Sequence, residues 1–126
     1  MTVVYREELS NVELRLFYSV KNLLEIIPHK SELDKDILRI KIRKFVYEDI
    51  LEFKLTKVTG LGFVEYKFEG KDGRGSFFVT LSKIKKDTIN VYFTYTGKNE
   101  KQMLKLFEEV ISKLKEVKIS HNNELP

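Results

Sequence analysis

The sequence predicts a single α+β domain in which a curved antiparallel sheet of about six strands wraps around a long C-terminal helix. Three observations predict this fold. Apolar and polar residues alternate from residue 37 to residue 95, as in half-buried strands. Apolar residues recur at spacings of three and four over residues 100–117, as on one face of a helix. Residues 12–27 show helical spacing in two shorter segments.

The length and composition bound the class of protein. The 126 residues make one domain, which we place at residues 1–120, with a flexible polar tail at 121–126. The absence of Cys excludes disulfides and Cys-based zinc sites and suits a reducing cytoplasm. No apolar run reaches the roughly 18 residues of a spanning helix, so we expect a cytoplasmic protein without membrane insertion. Abundant Lys and Glu with a single Gln favour a thermophilic source.

The N-terminal third is predicted as one strand followed by two short helices. The strand covers residues 2–8, and Ser10 with Glu13 has the spacing of a capping box. Helical spacing then continues to Ile27, where the helix should end, because Pro28 disfavours helical backbone in the preceding residue. We expect a bend near Ser19.

Five further strands are predicted at residues 37–43, 48–57, 63–69, 76–82 and 88–95, with one apolar face. Asp72-Gly73 is a strong hairpin signal, and pairing about it sets Phe68 opposite Phe77 and Tyr66 opposite Val79. Pairing about Thr59-Gly60 sets Tyr66 opposite Phe53, and pairing about Val46-Tyr47 sets Phe53 opposite Ile40. Pairing about Lys85 sets Phe78 opposite Tyr92 on the outer face.

The last helix is predicted over residues 100–117, with Asn99 as its cap and Gln102 at the third helical position. At about 1.5 Å per residue it would span about 27 Å, comparable to the width of the sheet. Its apolar stripe contains Met103, Leu106, Phe107, Val110, Leu114 and Val117. The helix can therefore lie across the whole inner face.

The order of strand, two short helices, antiparallel meander and long helix resembles the helix-grip superfamily. This superfamily includes START lipid-transfer domains, polyketide cyclases, birch-pollen-allergen-like proteins and the carbon monoxide dehydrogenase G-like family. The segment from Val20 to Pro28 is similar to the second helix of the dehydrogenase G-like family, and Phe68 to Gly75 forms a glycine-punctuated hairpin. His29 departs from that family, where Gly often follows the Pro. The resemblance implies an apolar ligand held between sheet and long helix.

Inward-facing aromatic residues supply the candidate binding site. Tyr66 and Tyr95 bring hydroxyls to an apolar face, where a buried phenol needs a partner, and pockets are mostly apolar with a few polar groups. The predicted ligand contacts are Leu24, Ile27, Tyr66, Phe68, Phe77, Val79, Phe93, Tyr95, Met103 and Phe107. The sequence thus predicts binding of a small hydrophobic ligand, lipid-like or aromatic. The alternative is a core filled by the same side chains.

Catalytic and cofactor chemistry finds little support in the sequence. His29 follows Pro28 and His121 lies in the tail, so neither forms a base or a metal site with near neighbours. Glu108 and Glu109 are adjacent, which turns their side chains apart, and we interpret them as solvated surface. We expect no cofactor and no metal. The enzyme alternative is a cyclase or hydrolase in which Tyr66 or Tyr95 polarises a carbonyl.

The outer face of the sheet carries two features that bear on possible partners, a basic stripe and an aromatic pair. Arg39, Lys41 and Arg43 form a basic stripe, but strand alternation explains it and no aromatic residue interleaves it, so we expect no nucleic acid. Phe78 and Tyr92 form an exposed aromatic pair. Such a pair can stabilise a sheet or mark a subunit contact. On the second interpretation the protein is a homodimer.

Overall fold

The structure, a computed structural model, describes the backbone of residues 2–43 and 45–124 and the side chains of residues 4–43 and 45–116. A 3₁₀ helix at Leu14–Phe17 precedes two α-helices, α1 at Val20–Ile26 and α2 at Glu100–Glu124. The strands are β1 at Thr2–Ser10, β2 at Lys30–Asp34, β3 at Ile37–Arg43, β4 at Glu48–Gly60, β5 at Phe63–Glu69, β6 at Gly73–Leu81 and β7 at Thr88–Gly97.

The strands form one antiparallel sheet in the order β1-β7-β6-β5-β4-β3-β2. It contains seven strands, so the predicted number of about six is too low. The strand that the sequence did not reveal is β2, whose residues are half-buried or exposed in alternation and include one large apolar side chain, Leu33. An edge strand with so little apolar content has no clear period-two signal. The predicted α+β architecture is otherwise confirmed.

The helical connection between β1 and β2 has the predicted shape but a different start. The 3₁₀ helix and α1 are separated at Ser19, and α1 ends at Ile26 with Ile27 as its C-cap, as Pro28 requires. The capping box is wrong: Ser10 pairs with Thr88 as the last residue of β1. The chain turns at Asn11 instead, whose positive φ of 60° lets its N–H donate to the Asp87 carbonyl at 2.6 Å.

The predicted strand faces are right, but three of the predicted registers are wrong. Tyr66 faces Phe77, and Phe68 faces Gly75 and Leu55 across its two neighbouring strands. Phe53 faces Leu38. Each register differs from the prediction by an even number of residues, which leaves every side chain on its predicted face. The pairing of Phe78 with Tyr92 is confirmed.

Glycine packing explains the shifted turn between β5 and β6. The turn centres on Lys71-Asp72, closed by a bond from the Gly70 N–H to the Gly73 carbonyl at 2.8 Å. A Cβ on Gly75 would approach a Phe68 ring carbon to 2.7 Å, and a Cβ on Gly73 would approach a Tyr95 ring carbon to 2.5 Å. These glycines make room for aromatic rings, a role that a turn motif does not reveal.

Helix α2 crosses the inner face and packs on β1 and β7. Met103, Leu106, Phe107, Val110 and Leu114 are buried as predicted. The side chain of Val117 and the predicted tail at 121–126 lie outside the residues with described side chains. The Gln102 amide donates to Asp49 at 3.1 Å rather than capping the helix. Within the described chain, no helix combines the length and hydropathy needed to cross a bilayer.

Candidate ligand cavity

An apolar cavity of about 60 Å³ lies between the inner face of the sheet, α1 and α2. The predicted ligand contacts that line it are Ile27, Tyr66, Phe68, Phe77, Phe93, Met103 and Phe107. Its wall also includes Leu23, Leu38, Ile40, Phe53, Leu55, Leu106 and Val110. The alternation of β3 and β4 and the stripe of α2 marked most of these additional residues as inward. Which of the inward-facing residues line the cavity depends on tertiary packing, which the sequence patterns do not show.

Three predicted contacts lie elsewhere. Val79 is completely buried in the sheet's inner face, away from the cavity wall. Tyr95 lies near the start of α2, and Leu24 is a half-buried residue of α1 that packs against the core. A ligand in the present cavity would not touch them.

Aromatic stacking fills the part of the core beneath α2. The ring of Phe93 stacks on Phe77 with centroids 4.7 Å apart and on Phe107 at 4.1 Å. Phe107 also meets Phe68 at 6.3 Å. These rings pack tightly against one another and also line one side of the cavity, which extends from them toward α1, β3 and β4.

The hydroxyl of Tyr66 is already used by the fold. Its side chain is 0% exposed, and its hydroxyl donates to the Phe17 carbonyl at 2.5 Å. Burial raises the pKa of Tyr66 to about 12 by disfavouring the charged phenolate. The bond ties the 3₁₀ helix to β5, and the Phe17 ring packs edge-on against Phe77 at 5.8 Å.

The hydroxyl of Tyr95 is likewise bonded to backbone. It donates to the Lys98 carbonyl at 2.5 Å and also lies 3.4 Å from the Asp72 carbonyl. Burial, followed by the nearby Asp72 carboxylate, raises the pKa of Tyr95. Neither tyrosine therefore offers a free hydroxyl to a ligand, so the proposed polarisation of a carbonyl loses its structural basis.

Helix α1 and its C-cap contribute Leu23 and Ile27 to the cavity wall, and polar contacts fasten the chain on both sides of the helix. Before α1, Tyr18 donates its hydroxyl to the Gly60 carbonyl at 3.2 Å, and Lys57 donates to the Tyr18 carbonyl at 2.5 Å. After α1, His29 Nε2 lies 3.1 Å from Glu109 Oε2 on α2. Glu109 is thus a partner of His29, which corrects its interpretation as solvated surface.

Half-buried apolar residues follow the edge of this part of the wall. Leu24 and Ile27 of α1 and Leu33, Leu51 and Leu55 of the facing strands pack against the core without being enclosed. The cavity and its edge are therefore apolar.

Among the residues that the structure describes, no group of three or more acidic or histidine side chains could hold a metal ion.

The outer aromatic pair belongs to a longer row. Phe78 and Tyr92 have centroids 6.0 Å apart, Phe63 lies 5.7 Å from Phe78, and the Arg6 guanidinium covers Tyr92 at 5.5 Å. Phe78 and Tyr92 are both partly buried. Farther along the sheet, Arg39 of β3 pairs with Glu52 of β4 at 2.9 Å, so the first residue of the basic stripe has an acidic partner.

No protein-family model and no curated protein matches the sequence. Solved structures do match the fold. A conserved protein from Geobacillus kaustophilus has a TM-score of 0.62 at 14% identity, covering 95% of this chain and 96% of its own. Norcoclaurine synthase from Thalictrum flavum, in complex with dopamine and hydroxybenzaldehyde, has a TM-score of 0.55 at 17% identity, with coverages of 90% and 86%. The Aha1 dimer from Colwellia psychrerythraea has a TM-score of 0.55 at 14% identity, with coverages of 94% and 93%.

These similarities establish the class of fold. The curved antiparallel sheet, the two short helices after the first strand and the long C-terminal helix make this chain a helix-grip protein. At such low identities the likeness concerns the fold alone, and the ligand has to be argued from the cavity.

Proposed function

We propose that this chain binds a small apolar molecule, aromatic or lipid-like, in the cavity between the sheet, α1 and α2. The supporting observation is the chemistry of the wall, which consists of apolar side chains together with Tyr66, whose hydroxyl is bonded to Phe17. A water molecule needs two to four polar partners, and this wall offers it none. An apolar guest gains from leaving water and loses no hydrogen bond there.

The size of the cavity restricts how a ligand can enter. Its volume of about 60 Å³ is smaller than the roughly 150 Å³ of an engineered apolar cavity that holds benzene. A compound with even one ring therefore requires the wall to open. Helix α1 is the best candidate, because its seven residues have no side-chain cap at the N-terminus and so short a helix has little stability of its own.

We infer that α1 acts as a hinged cover, and that ligand passes between it and β3–β4 beside Leu24 and Ile27. Outward movement would bring Leu24, a predicted contact that the closed cavity does not reach, into the enlarged space. The bound dopamine and hydroxybenzaldehyde of the norcoclaurine synthase, both single-ring compounds, support the aromatic class of ligand. The cyclase or hydrolase alternative would require a catalytic group other than the hydroxyls of Tyr66 and Tyr95, which are both committed to backbone carbonyls.

The test uses toluene and naphthalene as probes, titrated into the full chain and followed by amide NMR shifts. Val110→Phe places a ring where the cavity now lies, whereas Ile111→Phe adds the same ring at a buried position of α2 outside the cavity wall. We expect the unaltered chain and the Ile111 variant to bind a probe and the Val110 variant to lose binding. Native mass spectrometry of the purified chain should also reveal a retained apolar compound. Binding that survives in the Val110 variant, or no binding of either probe, would remove the proposal.

Several finer proposals accompany this function. We place the protein nearest the carbon monoxide dehydrogenase G-like branch, supported by the Val20–Pro28 segment, which forms α1 and ends as expected. The row through Phe78 and Tyr92 is our proposed homodimer contact, and the Aha1 neighbour is itself a dimer. A cytoplasmic location and a thermophilic source stay predictions from composition.

A further inference from the structure

Two adjacent turns at one end of the sheet carry large apolar side chains that are exposed to solvent. Leu61 in the β4–β5 turn is fully exposed, Ile84 in the β6–β7 loop is 94% exposed, and Leu81 at the end of β6 is 48% exposed. We call these three residues the apex patch. Isolated exposed apolar side chains are common, but a cluster on projecting turns suggests a contact.

The backbone holds the apex patch together as one surface. The Leu81 N–H donates to the Gly62 carbonyl at 3.0 Å, which ties the end of β6 to the turn that carries Leu61. The Ser82 hydroxyl accepts bonds from the N–H groups of Ile84 and Lys85, at 3.2 and 3.0 Å. Ile84 is therefore presented by a defined turn that directly follows the end of β6, which is itself bonded to the β4–β5 turn.

The charge around the apex patch is positive. Ile84 lies within the run Lys83-Ile84-Lys85-Lys86. Lys85 bonds to Glu8 at 2.6 Å, which anchors the loop to β1. Lys83 and Lys86 are exposed and make no ion pair with any residue of the described chain, and Asp87 is the next acidic residue.

We propose that the apex patch docks this protein on the surface of an anionic lipid bilayer. Leu61, Leu81 and Ile84 would enter the headgroup layer, while Lys83 and Lys86 would lie over lipid phosphates. Reversible binding to a membrane surface takes an apolar insertion together with basic residues, and each Lys near an anionic surface contributes favourably. Projecting side chains suit a fluid interface, whereas a protein partner would need pockets shaped to receive them. The contact goes beyond ligand binding and does not depend on an occupied cavity.

The opposite end of the sheet provides a matched comparison. Phe45, Val46 and Tyr47 in the β3–β4 turn are also exposed. In the sequence Arg43 and Lys44 precede them and Glu48 and Asp49 follow, so the flanking charges cancel and offer an anionic surface no net attraction. Apolar exposure is thus similar at the two ends, and the net flanking charge distinguishes them: it is zero at the β3–β4 turn and +2 over residues 83–87.

The test is co-sedimentation of the full chain with vesicles of phosphatidylcholine alone or mixed with phosphatidylglycerol. We expect binding to the mixed vesicles only, weakened by added salt because exposed charges are screened. Leu61→Ser with Ile84→Ser should lower the partition coefficient about tenfold or more, from the apolar area lost. Lys83→Gln with Lys86→Gln should lower it by about thirtyfold at low salt and flatten the salt dependence. Phe45→Ser with Val46→Ser, at the other end, should leave it unchanged.

Several results would overturn the proposal. These are no binding to the mixed vesicles, equal binding by the Leu61 and Ile84 variant, or loss of binding in the Phe45 and Val46 control. Concentration-dependent self-association that the Leu61 and Ile84 changes abolish would assign the patch to a second copy instead. Urea unfolding should show native stability for every variant, because all the altered side chains are exposed. Toluene binding in the same variants should be unaffected, so failure here would be distinct from failure of the cavity proposal.

Discussion

Replacing Tyr66 with Phe separates a structural from a catalytic role for the most buried hydroxyl in the described chain. The variant keeps the ring and removes the bond to the Phe17 carbonyl, which stays buried without its partner. Leaving a buried acceptor unsatisfied costs about 1–3 kcal/mol, so the free energy of unfolding should fall by about that amount at pH 8. Urea unfolding followed by circular dichroism measures this difference. A loss below about 0.5 kcal/mol would contradict the role we give the bond.

The same variant tests the electrostatics of the site. Because burial raises the pKa of Tyr66 from 10.0 to about 12, the folded state favours the neutral phenol. That contribution to stability is complete below pH 10 and is lost as the pH rises toward 12. At pH 11 the unfolded phenol is mostly ionised and the folded one is not, which corresponds to a loss of about 1.4 kcal/mol.

The stability gap between the native chain and Tyr66→Phe should therefore narrow by about 1.4 kcal/mol between pH 8 and pH 11. Comparing two chains at each pH cancels the titration of every other group. The difference in phenolate absorbance between the two chains would isolate the titration of Tyr66, because the pKa values of Tyr5 and Tyr95 are raised in both. A gap that stays constant across this range would refute the reasoning, because it would mean that Tyr66 titrates equally in both states.

Two further predictions concern the cover and the outer face. His29→Ala removes the contact with Glu109 that fastens the end of α1, so toluene should enter and leave the cavity faster, as measured by NMR line-shape analysis. Glu108→Ala, an exposed change on the same helix as Glu109, should not alter the exchange rate. Equal exchange rates in all three chains would mean that α1 is not the cover. Phe78→Ser with Tyr92→Ser should convert a dimer to a monomer on a sizing column, and an elution volume identical to that of the native chain would leave the aromatic row with a role in sheet stability alone.

The sequence by itself determined the architecture and the faces of the elements. Alternation at period two fixed which side of β3 to β7 is apolar, and the recurrence at three and four fixed the buried stripe of α2, because both patterns follow from local backbone geometry. Pro28 likewise set the end of α1 through its effect on the preceding residue. The pairing of Phe78 with Tyr92 was predicted by taking Lys85 as the centre of the loop between β6 and β7, and the structure confirms it.

Tertiary structure decided the registers and the site. Turn motifs located the hairpins only within a few residues, and the final pairing depended on ring packing, as where Phe68 lies against Gly75 and Tyr95 against Gly73. The partners of the Tyr66 and Tyr95 hydroxyls and the contact between His29 and Glu109 join segments far apart in the chain. No local pattern encodes such contacts, and for the same reason none could reveal that the space left by the core lies between the sheet, α1 and α2 and measures about 60 Å³.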